Sequence, residues 1–238
     1  MASRIKLGEI PVDVTFKDIK NVHLSVLPPS GRVTISAPRR MRLDAIRVFA
    51  VSKLDWIKRQ RIKIQSQERE PEREYVDRES HYVWGKRHLL RVLERPGPSG
   101  VRLEQGRLIL EIRPGLDARR REALVETWCR EELRREARPI VAAWEKRLGV
   151  ELARFDVRRM KTRWGSCNPR RGSILLNTDL ARKPRECLEY IVVHELTHLI
   201  EPTHNARFVA LMDRHLPSWR SARKTLNRLP LRREDWEY

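Results

Sequence analysis

Two histidines four positions apart, His194 and His198, stand in the run Tyr190-Ile191-Val192-Val193-His194-Glu195-Leu196-Thr197-His198-Leu199-Ile200-Glu201-Pro202-Thr203-His204. On a helix that spacing stacks both imidazoles on one face, one turn apart. Both rings then reach a single small cation, at the roughly 2.0–2.1 Å that a zinc–nitrogen bond needs. Glu195 turns toward the same side, where a carboxylate can hold a water beside the ion. Pro202 cannot continue the helix, so the chain is expected to turn just after Ile200 or Glu201. His204, beyond that turn, is the expected third ligand. Glu201, Asp213 and His215 compete for that role or serve as hydrogen-bond partners to a ligand histidine. Three protein ligands and a water make a catalytic zinc site, whereas a structural site closes with four protein ligands.

The competing explanation is accident in a solvated helix. Random order of 7 histidines and 22 glutamates in 238 residues gives this pattern in about two chains in a hundred. The flanks argue further against accident. Ile191, Val192, Val193, Leu196, Leu199 and Ile200 surround the polar residues, so the helix reads as buried, where unpaired histidine and glutamate are costly.

A chain of 238 residues is long enough for a sizeable core, as one large domain or two small ones. No run approaches the ~18 apolar residues of a membrane span, and Met1 to Lys6 carry no apolar export segment. Cys129, Cys167 and Cys187 are too few and scattered for a disulfide framework. Together these give a cytoplasmic expectation with no membrane partner. The net charge of +19 attracts polyanions, and nucleic acid is the first candidate for the basic surface. Against this, arginines are spread along the whole length, and aromatics are not interleaved with them as in a stacking platform.

Several elements must position the site. Val12–Phe16, His23–Leu27 and Val33–Ser36 alternate around Pro28-Pro29-Ser30-Gly31 and read as antiparallel strands. Leu43, Ile46, Phe49, Ala50, Leu54 and Ile57 form one helical stripe over about 42–66. Residues 66 to 80 read as an exposed, charged connector. Tyr82–Gly85, His88–Val92, Val101–Leu103 and Leu108–Ile112 form a second set of strands, and no fixed repeat is visible across the two sets. Asp117 caps a long helix that Gly149 stops. Phe155–Lys161 and Ser173–Asn177 are further strands, with Arg163–Pro169 between them. Pro184 opens the histidine helix, Asn205 caps another that Pro217 ends, and Ser218–Asn227 adds a further turn or two. The class is α+β, with a β-rich part over 1–115 holding one helix and a catalytic core over 116–238.

This order of long helix, small antiparallel sheet, metal helix and C-terminal helix is similar to the core of zincin metallopeptidases. More narrowly, Arg163-Trp164-Gly165-Ser166-Cys167, Ile174-Leu175-Leu176-Asn177, Leu180, Pro184, Val193 to Leu199, and His204-Asn205-Ala206-Arg207-Phe208 resemble the YgjP-like metallopeptidases, relatives of the SprT-like proteases. The resemblance is densest over about 155–226 and extends more weakly toward the N-terminus. Glu201 stands where metzincins carry glycine, which argues against that branch.

The resemblance implies one zinc per chain, a peptide or protein substrate, and a part for Trp164, Ser166 and Cys167, read otherwise as a tight turn with core packing. With zinc on His194, His198 and His204, Glu195 is the expected general base. The strand Ser173–Asn177 is the expected edge on which an extended substrate pairs. Two other readings stand beside this one. One is a nucleic-acid-associated, SprT-like protein whose zinc is mainly structural, and the other a zinc hydrolase of non-peptide amides or esters.

Overall fold

Alternating apolar residues build the first sheet of the computed structural model, which describes residues 2–27, 30–66, 73–160 and 163–230. Met1, Pro28, Pro29, residues 67–72 of the charged connector, residues 161–162 and the tail from 231 lie outside the described residues. The strands β1 (Ala2–Leu7), β2 (Ile10–Lys17), β3 (His23–Leu27) and β4 (Arg32–Pro38) stand in the order β1-β2-β4-β3. Val12, Val14, Val33 and Ile35 point to one face and are fully buried. Ile46, Ala50 and Ile57 of the helices α1 (Leu43–Ser52) and α2 (Leu54–Gln65) complete that core. The single stripe of 42–66 is thus two helices, because the backbone leaves helical geometry at Lys53 (φ −106°, ψ 8°).

The second sheet is formed by β5 (Ser80–Val83), β6 (Lys86–Glu94), β7 (Gly100–Glu104) and β8 (Arg107–Ile112), in the order β5-β6-β8-β7. Both sheets pair their outer strands antiparallel and their two central strands parallel (β2 with β4, β6 with β8). The chain therefore repeats one four-strand topology, each time followed by helix, although no residue period reveals it.

The chain divides into two compact units, residues 1–71 with 230–238, and 72–229. The sequence pattern alone places the boundary at 115/116. In the structure, Leu90, Leu108, Leu110 and Ile112 of the second sheet share a core with the long helix α3 (Ala118–Leu148), so these strands group with the catalytic core. Tyr75, in the segment that reads as exposed connector, is buried in that core. Asp117 caps α3 by accepting the Arg120 N–H at 2.8 Å, and Gly149 ends it in the left-handed conformation.

A third sheet comes from β9 (Arg154–Arg158), β10 (Gly165–Asn168) and β11 (Ser173–Asn177), in the order β10-β11-β9. β10 runs antiparallel to β11, and β9 parallel to it. The strand 173–177 is therefore central, with both its backbone edges paired. This corrects the expectation that it offers an edge to substrate; β10 and β9 are the edges. The histidine helix α4 (Arg185–Thr197) is buried almost all round, from Cys187 to Thr197. Trp144 on α3 donates to Glu189 on α4 at 3.0 Å, and Tyr190 stacks on Trp219 at 6.2 Å between ring centres. The turn before α4 is fixed too. Gly85, at φ +75°, approaches Pro184 so closely that a Cβ would lie 2.7 Å from the proline ring. Two further helices, α5 (Ala206–His215) and α6 (Trp219–Arg228), close the unit. No helix among the described residues is long and apolar enough to cross a membrane.

Candidate metal centre

His194 projects from α4, and His198 is the residue at its C-terminal cap. The helix stops at Thr197, three residues before the expected turn. Hydrogen-bonded turns then run through Glu201, whose N–H donates to the Thr197 carbonyl at 2.9 Å. This reversal carries His204 back toward the helix. The following residue, Asn205, begins α5 by accepting the Phe208 N–H at 3.0 Å. One ligand atom from each of His194, His198 and His204 lies within 4.8 Å of the others. The Nε2 atoms of His194 and His204 are 3.0 Å apart.

Phe208 supplies the apolar side of this cluster, with its ring centre 5.0, 4.7 and 4.8 Å from those of His194, His198 and His204. His198 Nδ1 is 3.2 Å from the Glu201 carbonyl oxygen. With the proton on Nδ1, that contact fixes the ring and leaves Nε2 as a lone pair. Burial, then the neighbouring imidazoles, lowers the His194 pKa to about 3, and burial lowers that of His198 as well. His194 Nδ1 is buried without a hydrogen-bond partner among the described residues. Neutral imidazoles converging on a common point are a donor set that fits a divalent cation, since ligation requires the deprotonated ring.

The other acidic and histidine candidates fall elsewhere. The Glu201 carboxylate accepts from the Thr203 hydroxyl at 2.9 Å, and its contribution to the cluster is its backbone carbonyl. Asp213 accepts from Trp219 Nε1 at 2.7 Å and pairs with Arg220. His215 ends α5 and is not among the clustered histidines.

Glu195 is 5% exposed, and burial pushes its carboxyl up to about 7 against the pull of the Arg163 guanidinium. A carboxyl in that range accepts and returns a proton near neutrality. Gly165, whose role sequence reasoning did not identify, lies directly against it. A Cβ at 165 would stand 2.6 Å from Glu195 Oε1 and 2.9 Å from Ile191 Cγ2. A glycine inside a strand often marks such a close approach, but the sequence does not reveal the strand that would make Gly165 stand out. Strand alternation puts Cys167 on the same face as Gly165. Burial, then the charge of Glu195, raises its thiol to about 11, so it is protonated at neutral pH and not a nucleophile. Trp164 is half-buried, with Lys183 Nζ 5.8 Å from its ring centre.

Asn177 holds the loop before Gly165. Its side chain donates to the carbonyls of Met160 and Arg163, both at 2.8 Å, and its backbone N–H donates to the Trp164 carbonyl at 2.9 Å.

The metallopeptidase zymogen jannalysin of Methanocaldococcus jannaschii is similar at 20% identity and a TM-score of 0.34, over 37% of this chain and 90% of that one. The metallopeptidase zymogen abylysin of Pyrococcus abyssi is similar at 23% identity and a TM-score of 0.33, over 37% of this chain and 85% of that one. No curated protein matches the chain. The model of the YgjP-like, metallopeptidase domain family matches residues 20–229, nearly the whole length, and the chain belongs to that family.

Proposed function

We propose that the chain hydrolyses peptide bonds with one zinc ion held by His194, His198 and His204, and with Glu195 as general base. The convergence of the three imidazoles on one point carries this reading. When bound, zinc supplies an acidified water and a positive charge for the oxygen of the carbonyl under attack. Glu195 would take a proton from the attacking water, hold it in its buried pocket, and deliver it to the departing amine. The Glu201 carbonyl keeps the His198 ring turned toward its partners. β10, the edge strand whose Gly165 touches Glu195, is the proposed site for an extended substrate to pair.

Metal removal tests the reading. The purified chain is expected to contain one zinc by elemental analysis, to lose peptidase activity on dialysis against a chelator, and to regain it with zinc. Retention of activity in the metal-free protein overturns it. A second prediction concerns the close approach at 165. Gly165→Ala is expected to lower kcat for peptide hydrolysis by about 100-fold with zinc content unchanged, because the methyl group displaces the carboxylate. A kcat within threefold of the parent chain would show that Glu195 tolerates the shift.

Charge supports an additional contact with nucleic acid. Arg154, Arg158 and Arg163 line a groove of about 480 Å³ along β9 to β11, with Asp156 as its acidic residue. Replacing all three by glutamine is expected to reduce the slope of log K against log salt for duplex DNA by two to three, at roughly 0.9 per phosphate contact. An unchanged slope places any DNA contact elsewhere. DNA binding that survives Glu195→Gln while no peptide is cleaved by the parent chain favours a mainly structural zinc.

A further inference from the structure

Residues 2–66 contain a second polar site whose residues are all distinct from the histidine cluster. Arg4 on β1, Asp13 on β2, Arg32 on β4 and Arg61 on α2 line a half-open pocket of about 300 Å³, together with Ser30 and Gly31 of the β3–β4 turn. Asp13 accepts from Arg4 Nε at 2.8 Å and from Arg32 Nε at 2.6 Å. The Arg4 bond, with help from Arg32, holds its carboxyl below the ordinary carboxylate range against the effect of burial. Both bonds use the Nε side of the guanidinium, and Arg4 has no other partner among the described residues.

Arg61 is different. Its Nε is buried and has no hydrogen-bond partner among the described residues. The side chain is nevertheless held in place. Gly31, at φ +73°, lets the turn lie on the Arg61 stem, where a Cβ would meet Cγ at 3.3 Å. Gln65 donates to the Ser30 carbonyl at 2.9 Å and pins the same turn to α2. A packed, half-buried guanidinium carries a desolvation cost that the charge of an anion in the pocket would offset.

We infer that this pocket binds a phosphate dianion, as free phosphate or as a small phosphate monoester. Three guanidinium groups and one carboxylate leave two positive charges facing the pocket, which match a dianion better than a carboxylate. Arginine forks suit the several acceptor oxygens of a phosphate. The volume is at the small end of ligand sites, with room for a monoester carrying a small organic group. This inference is independent of the reading of the histidine cluster.

Titration calorimetry of the full, zinc-loaded chain with inorganic phosphate, phenyl phosphate and acetate tests it. Saturable phosphate binding is expected, with acetate at least tenfold weaker. Arg61→Gln is expected to weaken phosphate at least tenfold, and Arg61→Lys to fall between, since it keeps the charge and loses the fork. Competition by phenyl phosphate assigns a monoester, and its exclusion assigns the free anion. Should Arg61→Gln not fold, the exposed Arg4→Gln gives the same reading through a several-fold loss. Absence of phosphate binding, acetate bound as tightly as phosphate, or equal affinity in the folded arginine variants overturns the inference, the last because the anion then sits elsewhere, the metal included.

Discussion

Glu195→Gln is expected to lower kcat for peptide hydrolysis by 10²- to 10⁴-fold, the usual contribution of a positioned general base, while zinc content stays at one per chain. The amide is nearly isosteric with the carboxyl, so the close approach of Gly165 persists and the helix does not repack. What disappears is a buried carboxyl raised to about 7, able to hold a proton near neutrality. His198→Ala gives the contrast, because it removes a proposed ligand and should lose metal and activity together. Elemental analysis beside steady-state kinetics separates the two cases. A Glu195→Gln enzyme within tenfold of the parent kcat would move the proton transfer to another residue. Loss of zinc in the same variant would instead make Glu195 part of the ligand set.

The clustering of the three histidines was legible in the sequence because their spacing is local. Helical period brings His194 beside His198, and Pro202 with Asn205 announces the reversal that returns His204. The long helix was legible for the same reason, with Asp117 and Gly149 as its start and stop. β10 was not, since Gly-Ser-Cys-Asn has four residues and no alternation of apolar and polar side chains. Without that strand in view, 173–177 reads as an edge. The repeated sheet topology was hidden because strand order depends on pairing between distant segments, which residue pattern does not encode. The contact between Gly165 and Glu195 joins positions thirty apart in the chain, and only packing of β10 on α4 brings them together.

The same limit hid the charged residues that fix the approach to α4. Arg182, 5% exposed, donates to Asp179 at 2.8 Å and to Glu126 of α3 at 2.6 Å. Burial opposes its charge, yet the nearby carboxylates hold it ionised. Its own carbonyl accepts from Gly85 at 3.2 Å, and that of Ala181 accepts from Trp84 at 2.8 Å. One short segment therefore ties α3 and the β5–β6 turn to the start of the histidine helix. Arg182→Met nearly keeps the volume and removes the cation that Asp179 and Glu126 share. It is expected to destabilise the chain by about 3–5 kcal/mol in denaturant unfolding, the cost typical of a broken buried ion pair. Adding Glu126→Gln and Asp179→Asn should recover most of that loss, because neutral amides are far cheaper to bury than carboxylates that have lost this cation. If the single variant loses under about 1 kcal/mol, the range of an exposed pair, water reaches these groups and the ion cluster does not hold α4 in place. If the triple variant stays as unstable as the single one, the guanidinium stabilises through packing of its stem and not through its charge.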